Sequence, residues 1–384
     1  MKFFKKSYIG VIFCLLATVD ANIIVKLSSS STIGSFFHRY PQIMRHVGQV
    51  YSFGDFIGFS GNFNLNVIRA LQHNPFVKSI VPDTQVMTTE EMELRDKFTY
   101  EYFGIPKELV DVYVVDTGVR KDHPQLEGRV TFQKDFTGEG IGDTNGHGTH
   151  VAGLVGSHRY GVFKQARFID LKVLQGTGVG NLSTVIAGID YAVNHRMGTR
   201  HKAVANLSVG ATYNVVLNDA VNAAVESGLL VVVAAGNANS AACNYSPASA
   251  SRVVTVGAVD DRYDAVASFS NWGRCVDIFA SGVYVVSLSP HQESPTMALS
   301  GTSMSAPIVA GIMAQFMAQG DGPEEAIERL LSRGTHGAIP RSSLFLRPRT
   351  INLLAYNREP DEEVGGGAGE DEEGEDDGDD EDYE

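Results

Sequence analysis

The sequence of 384 residues lacks a clustered basic stretch, which argues against binding to nucleic acid. Its formal net charge of −14 is concentrated in residues 358–384, which hold 16 acidic residues and one arginine. The rest of the chain is therefore close to neutral. Beyond the first 21 residues, no segment has the ~20 consecutive apolar residues that a membrane-spanning helix needs, and no repeat is present. We expect a monomeric protein with no membrane span.

Two motifs of other enzyme classes are also missing. There is no H-E-x-x-H sequence, which removes the usual helix of a zinc protease. Gly178-Val-Gly180 resembles part of a phosphate-binding loop, but no lysine follows at the required position. We therefore reject nucleotide binding for this stretch.

Cysteine is scarce, and the number of cysteines in the exported protein depends on whether the amino terminus is removed. Lysines at positions 2, 5 and 6, an apolar run over 8–17 and Val19-Asp-Ala21 form the three parts of a secretory signal. We expect residues 1–21 to be removed on export and the protein to be secreted, to the extracellular space or the cell surface. A signal anchor is the alternative, but the apolar run is short for a bilayer span. Cys14 would leave with the signal, and Cys243 and Cys275 would then form one disulfide or remain as two free thiols.

Residues 22–86 have the pattern of a small separate domain. We predict a strand over 22–27, a helix over 33–46, a strand pair between 50 and 63, a helix over 65–73 and a strand over 77–86. This is the split βαβ order of a ferredoxin-like domain, which by itself could be a small binding module. Residues 88–108 are charged and polar and are predicted to be a linker. The acidic, glycine-rich residues 358–384 are predicted to be a disordered tail.

From residue 109 onward, apolar runs alternate with helical patterns. This predicts an α/β domain with a mostly parallel sheet and helices on both faces. Several of the predicted strands end in polar or glycine-rich sequence. Because ligands of open α/β sheets bind beyond the carboxyl ends of the strands, candidate site residues gather at this edge. The predicted strands are 111–116, 168–173, 204–209, 229–234 and 253–259, and the predicted helices are 147–156, 183–194, 217–227 and 304–319.

Three residues at this edge suggest nucleophilic catalysis. Ser303 is predicted at the N-terminus of a helix, where unpaired N–H groups and the helix dipole stabilise negative charge, and Pro307 is predicted in the first helical turn. A serine that only caps the helix is the alternative interpretation. Asp116 ends an apolar strand and His147 opens a helix. A hydroxyl becomes a good nucleophile when an imidazole takes its proton and a carboxylate stabilises the imidazolium.

The motifs around these residues closely resemble the signatures of the subtilisin superfamily of serine proteases. They are Asp116-Thr-Gly, His147-Gly-Thr-His150 and Gly301-Thr-Ser-Met-Ser-Ala-Pro307, and the wider resemblance, to the proteinase K branch, covers about residues 109–357. It implies that Asp116 orients His147, that His147 is general base and then acid, and that Ser303 is the nucleophile. His150 is the alternative base, three residues along the same helix.

The same resemblance assigns further residues and partners. It implies that Asn237 donates a hydrogen bond to the oxyanion and that an extended polypeptide substrate lies in a cleft lined by Gly178, Gly180, Ser208, Val209 and Gly210. The segment 22–90 would be an inhibitor propeptide whose last strand occupies the active site until self-cleavage, followed by a catalytic domain over 91–357.

A structural calcium ion and a disulfide are also implied by the resemblance. Asp277 would bind calcium together with the backbone carbonyls of Ser251 and Val253, a set of oxygen ligands that suits a hard cation. The alternative is that Asp277 caps a turn. Cys243 and Cys275 lie where some relatives have a disulfide, which favours their pairing.

These observations predict a secreted serine endopeptidase that matures by cleaving its own propeptide and needs no cofactor for chemistry. A catalytically silent, subtilisin-like binding or structural protein is the alternative function. The presence of Asp116, His147, Ser303 and Asn237 together argues against that alternative.

Overall fold

The structure is a computed structural model that describes residues 20–28, 32–88 and 108–355. The predicted acidic tail, Cys14 and nearly all of the predicted signal peptide and linker lie outside the described residues. Among the described residues, none of the helices combines the length and the apolar character that a membrane span needs.

The N-terminal domain is a four-stranded antiparallel sheet with helices packed on it. Its strand order is β2-β3-β1-β4, as in a ferredoxin-like fold. Its core includes Phe36, Phe59 and Phe63, all almost fully buried. In chain order the elements are β1 (Ala21–Leu27), α1 (Ile33–Arg39), α2 (Pro41–Met44), β2 (Val47–Phe53), β3 (Phe56–Phe63), α3 (Leu65–Gln72) and β4 (Val77–Pro82).

Two boundaries predicted in this domain are wrong. The helix predicted over 33–46 is divided, because Pro41 has no N–H to continue the hydrogen-bond ladder and instead starts a second short helix. The strand predicted over 77–86 ends at Pro82. The chain turns at Asp83, whose N–H donates to Asn22 O, and a new strand, β5 (Gln85–Thr88), joins a different sheet.

The second domain confirms the predicted α/β fold class. Its main sheet has the order β19-β20-β16-β14-β12-β10-β6-β8-β7, and the pairs from β20 to β7 are parallel. The strands are β6 (Val110–Asp116), β7 (Val130–Asp135), β8 (Arg167–Lys172), β9 (Val179–Asn181), β10 (Lys202–Leu207), β11 (Val209–Thr212), β12 (Leu230–Ala234), β13 (Tyr245–Ser246), β14 (Val254–Asp260), β15 (Ala265–Val266), β16 (Ile278–Ser281), β17 (Val285–Leu288), β18 (Thr296–Leu299), β19 (Thr335–His336) and β20 (Leu353–Leu354). The helices are α4 (His147–Gly156), α5 (Leu182–Thr199), α6 (Val215–Glu226), α7 (Thr302–Gln319), α8 (Pro323–Arg333) and α9 (Arg341–Leu344).

The sequence of the central strand β6 is almost continuously apolar because helices cover the strand on both faces. Val112 and Val114 point into a core shared with α4 and α7, whereas Tyr113 and Val115 point into a core shared with α5 and α6. Side chains alternate between the two faces of a strand, so a strand covered on both faces is apolar at most positions. Asp116 ends this strand and is fully buried.

The strand β5 joins the two domains. It lies between β9 and β11 and pairs antiparallel with both. Around it, the Lys26 ammonium group lies 2.6 Å from the Asp219 carboxylate on α6, and the Tyr51 hydroxyl donates to the Ser183 carbonyl on α5. The N-terminal domain is therefore anchored on α5 and α6, with its last strand inserted into the second domain.

Candidate active site

A buried carboxylate and an imidazole meet at the carboxyl end of β6. His147 Nδ1 donates to Asp116 Oδ1 over 2.7 Å, and both side chains are fully buried. The same oxygen accepts from Thr117 N at 2.7 Å. This contact fixes the imidazole ring and places its proton on Nδ1, so Nε2 is the nitrogen that can accept a proton.

A second carboxylate, not predicted from the sequence, connects the turn after β6 to the start of α4. Asp143 Oδ1 accepts from Thr117 Oγ1 at 3.0 Å, and Asp143 Oδ2 accepts from Thr149 Oγ1 at 2.6 Å. Thr117 Oγ1 also accepts from Gly148 N at 2.9 Å. These bonds hold Asp116 and His147 at a fixed separation. In the sequence, this role of Asp143 is indicated by its position just before a helix, where an acidic side chain complements the helix dipole.

Ser303 is the second residue of α7, which begins two residues earlier than predicted. The helix begins at Thr302 rather than Met304, so Pro307 lies inside it and the prediction of a first-turn proline is wrong. Pro307 has no N–H for the Ser303 carbonyl, four residues before it. That carbonyl instead accepts from Ser208 Oγ at 2.9 Å, and Ser303 Oγ donates to Ser208 O at 3.2 Å. The proline thereby links the Ser303 backbone to the strand edge beside it.

Asn237 follows β12 and is fixed through its oxygen. Its Oδ1 accepts from Thr302 N at 3.0 Å and from Thr302 Oγ1 at 2.8 Å. Its Nδ2 is buried and has no hydrogen-bond partner in the described part of the chain. Leaving a buried donor unpaired costs about 1–3 kcal/mol, so such a group calls for an explanation such as a bound substrate atom.

Sequence reasoning did not single out the residue that holds the loop around Asn237. Asn271 Oδ1 accepts from Ala238 N at 3.0 Å and from Ser240 N at 3.1 Å, and its Nδ2 donates to Ala235 O at 2.8 Å. Its partners lie more than 30 positions away in the chain, and no local pattern reveals them.

His150, the alternative base, does not join this constellation. It is fully buried, and its Nε2 donates to Val285 O on β17 at 3.0 Å. Burial lowers the pKa of His150 to about 3, so it stays neutral and serves as a core residue.

The residues predicted to line a cleft lie on the two strand edges that flank β5. Thr88 N donates to Gly178 O at 3.0 Å, Val86 pairs with Gly180, and Met87 pairs with Gly210. Val209 pairs with Thr88, and Ser208 directly precedes β11. An extended segment of the chain's own N-terminal region thus lies between the predicted cleft walls.

The disulfide expected from the resemblance is present. Cys243 and Cys275 are bonded, with their Cα atoms 5.4 Å apart. The bond connects the loop after Asn237 to the segment before β16, close to Asp277.

The three predicted calcium ligands lie in neighbouring segments. Asp277 Oδ2 accepts from Thr255 N at 2.8 Å, which brings the carboxylate beside the strand that follows Ser251 and Val253. Burial raises the pKa of Asp277. Within the described ranges, no group of three or more His, Cys, Asp or Glu side chains is arranged to hold a metal ion. A calcium ion here would therefore depend on one carboxylate, backbone carbonyls and water, ligands that suit a hard cation.

The fold and the site together define a subtilisin-like serine protease. The family described as the subtilase family matches residues 108–343. The chain is 37% identical over 367 residues to the subtilase-type proteinase RRT12 of Saccharomyces cerevisiae, covering 80% of this chain and 75% of that protein. It is 36% identical over 349 residues to Proteinase R of Parengyodontium album, covering 87% of this chain and 88% of that one.

Among solved structures, a cold-adapted subtilisin-like serine proteinase matches with a TM-score of 0.60 and 33% identity, covering 71% of this chain and 97% of that one. The chain belongs to the subtilase family.

Proposed function

We propose that this protein is an endopeptidase that hydrolyses peptide bonds in polypeptides through Asp116, His147 and Ser303. The observation that supports it best is the 2.7 Å bond between His147 Nδ1 and Asp116 Oδ1, both fully buried. Ser303 lies at the N-terminus of α7, which packs against α4, the helix that begins at His147. Similarity to Proteinase R supports placement in the proteinase K branch.

The chemistry follows from the tautomer of His147. With Nδ1–H donated to Asp116, Nε2 takes the Ser303 Oγ proton as that oxygen attacks the substrate carbonyl carbon. Asp116 stabilises the imidazolium, which then gives the proton to the leaving amine. Water repeats the cycle on the acyl-enzyme and releases the acid.

Two donors are available for the oxyanion of the tetrahedral intermediate. The Ser303 N–H belongs to the first turn of α7, where the positive end of the helix dipole favours developing negative charge. Asn237 Nδ2 is the second donor, because Thr302 fixes the other end of its amide. Donors that are already in place stabilise developing charge without reorganisation.

The position of β5 supports maturation by self-cleavage after export. Thr88 pairs with Val209, which directly follows Ser208, and the Ser208 carbonyl accepts from Ser303 Oγ. The scissile bond should therefore lie within one or two residues after Thr88, in agreement with a propeptide over 22–90. Cleavage would leave the N-terminal domain as an inhibitor bound through β5.

A calcium ion would bind at Asp277 with the carbonyls of Ser251 and Val253 and would stabilise the fold without taking part in the chemistry. Adding calcium to chelator-treated protein should raise the melting temperature, and Asp277→Asn should abolish that rise. An equal rise in both proteins would place the ion elsewhere.

Labelling with a fluorophosphonate probe tests the proposed activity. We expect the processed wild type to be labelled at Ser303 and the Ser303→Ala variant to remain unlabelled. Correctly processed wild type that takes up no probe would contradict the enzyme proposal and favour a silent binding protein.

A further inference from the structure

A buried carboxyl group lies beneath the turn that follows Asp116. Asp170 is on β8, pairs with Val114 of β6 and is only 1% exposed. Its Oδ2 accepts from Val119 N at 3.0 Å and from Gln133 Nε2 at 2.9 Å. Neither the sequence motifs nor the catalytic steps above account for this residue.

The contacts of Asp170 form a clamp on one short turn. Gln133 Nε2 also donates to Val119 O at 2.9 Å, so both backbone polar groups of Val119 are held by this pair of side chains. Val119 is three residues after Asp116, and a Cβ on the intervening Gly118 would overlap the Gly142 carbonyl. The turn therefore has little room to move, and the clamp fixes its outer end.

The charged groups around Asp170 are mainly acidic. Asp116 at the end of β6 and Asp143 before α4 both act to raise its pKa, while β7 contributes the neutral Gln133. On its own strand, Lys172 Nζ donates to Thr117 O at 2.7 Å and lies 3.4 Å from Glu139 Oε2. Burial is the main cause that raises the pKa of Asp170 to about 7.

We propose that Asp170 is a positioning residue of the catalytic site. Its carboxyl group fixes the turn that carries Asp116, and its negative charge, once it ionises, favours the imidazolium form of His147. The second part rests on the proposed function, because it requires His147 to be the general base. The buried Oδ1 of Asp170, which has no hydrogen-bond partner among the described residues, leaves this charge only partly compensated.

The test is the dependence of kcat/KM on pH for the processed enzyme acting on a peptide substrate. Asp170→Asn keeps an acceptor for Val119 N but removes the ionisation. We expect the midpoint of the acid limb to move to lower pH by on the order of 0.5 unit, because His147 loses a neighbouring negative charge. The plateau at high pH should stay within about threefold of wild type.

Asp190→Asn is a control for the loss of one carboxylate charge in the processed enzyme. Asp190 lies on α5, and Ser52, from whose N–H it accepts, belongs to the N-terminal domain that processing separates. The control should leave the acid limb unchanged. If Asp170→Asn lowers the plateau without moving the limb, Asp170 is only structural and the proposal is wrong.

Gln133→Leu provides an independent variant should Asp170→Asn fail to fold. Gln133 is half-buried, and removing its donor disfavours the ionised form of Asp170, so the limb should shift in the same direction. An unshifted limb in this variant overturns the proposal. Wild type that is inactive and unlabelled by fluorophosphonate would instead overturn the proposed function, so the two failures can be told apart.

Discussion

The two domains differ in the type of sheet, the core and the covalent bonds that stabilise them. The N-terminal domain has an antiparallel sheet with an aromatic core, including Phe36, Phe59 and Phe63. The second domain has a parallel sheet buried on both faces and, in addition, the Cys243–Cys275 disulfide. The hydrogen-bond networks around Asp116, His147 and Ser303 lie within the second domain, to which the N-terminal region adds the strand β5.

The contacts between the domains bear on the proposed removal of the first. Beside an apolar contact, they include charged and polar groups: Lys26 with Asp219 at 2.6 Å, and Asp83 Oδ1 accepting from Ser183 N at 2.8 Å. Interfaces that separate are richer in polar contacts than permanent ones. The second domain thus contains every other residue of the candidate site described above, and the N-terminal region adds only β5, between β9 and β11.

Replacing the proposed nucleophile should have the largest effect, and it tests whether the second domain itself removes the N-terminal domain. Ser303→Ala should lower kcat by about 10⁶, as removal of a triad residue does in subtilisin, and should yield an uncut chain that retains the N-terminal domain. Intact-mass measurement of wild type and variant decides the outcome. Normal trimming just after Thr88 in the variant would mean that another protease separates the domains.

The second prediction asks whether the catalytic domain stabilises the oxyanion alone. Asn237→Ala removes Nδ2 and should lower kcat by about 10²–10³ with little change in KM, because the donor acts mainly in the transition state. Steady-state kinetics on the processed enzyme measure both constants. A rise in KM at constant kcat would show that Asn237 binds the substrate instead.

The third prediction concerns the strand that joins the domains. Val86 is fully buried, whereas Met87, next to it in β5, is 51% exposed. Val86→Asp would bury a carboxylate at a cost of about 3 kcal/mol and should slow self-cleavage by roughly 100-fold, while Met87→Asp should process at nearly the wild-type rate. Time courses of processing compare the two, and equal rates would show that β5 is not held as the structure indicates.

The smallest expected effect is on the second domain alone. Cys243→Ser removes the disulfide, which should cost about 2–4 kcal/mol and lower the melting temperature by about 5–10 °C. If calcium binds near Asp277, the variant should also lose activity faster in chelator than wild type does. An unchanged response to chelator would show that the disulfide and the proposed ion act independently.

The sequence by itself determined the fold class and the candidate catalytic residues. Asp116, His147 and Ser303 lie in short motifs, and the apolar run of β6 marks a strand buried on both faces. These features are local, because the chemistry of a turn or the period of a strand is written in adjacent residues.

Only the tertiary structure decided how these elements are held together. Asp143, Asp170 and Asn271 receive hydrogen bonds from residues distant in the chain, and a single carboxylate or amide in a sequence does not reveal its partners. The break after Pro82 was likewise missed, because β5 forms only when β9 and β11 supply its hydrogen bonds. The pairing of a strand edge depends on what the folded chain places beside it.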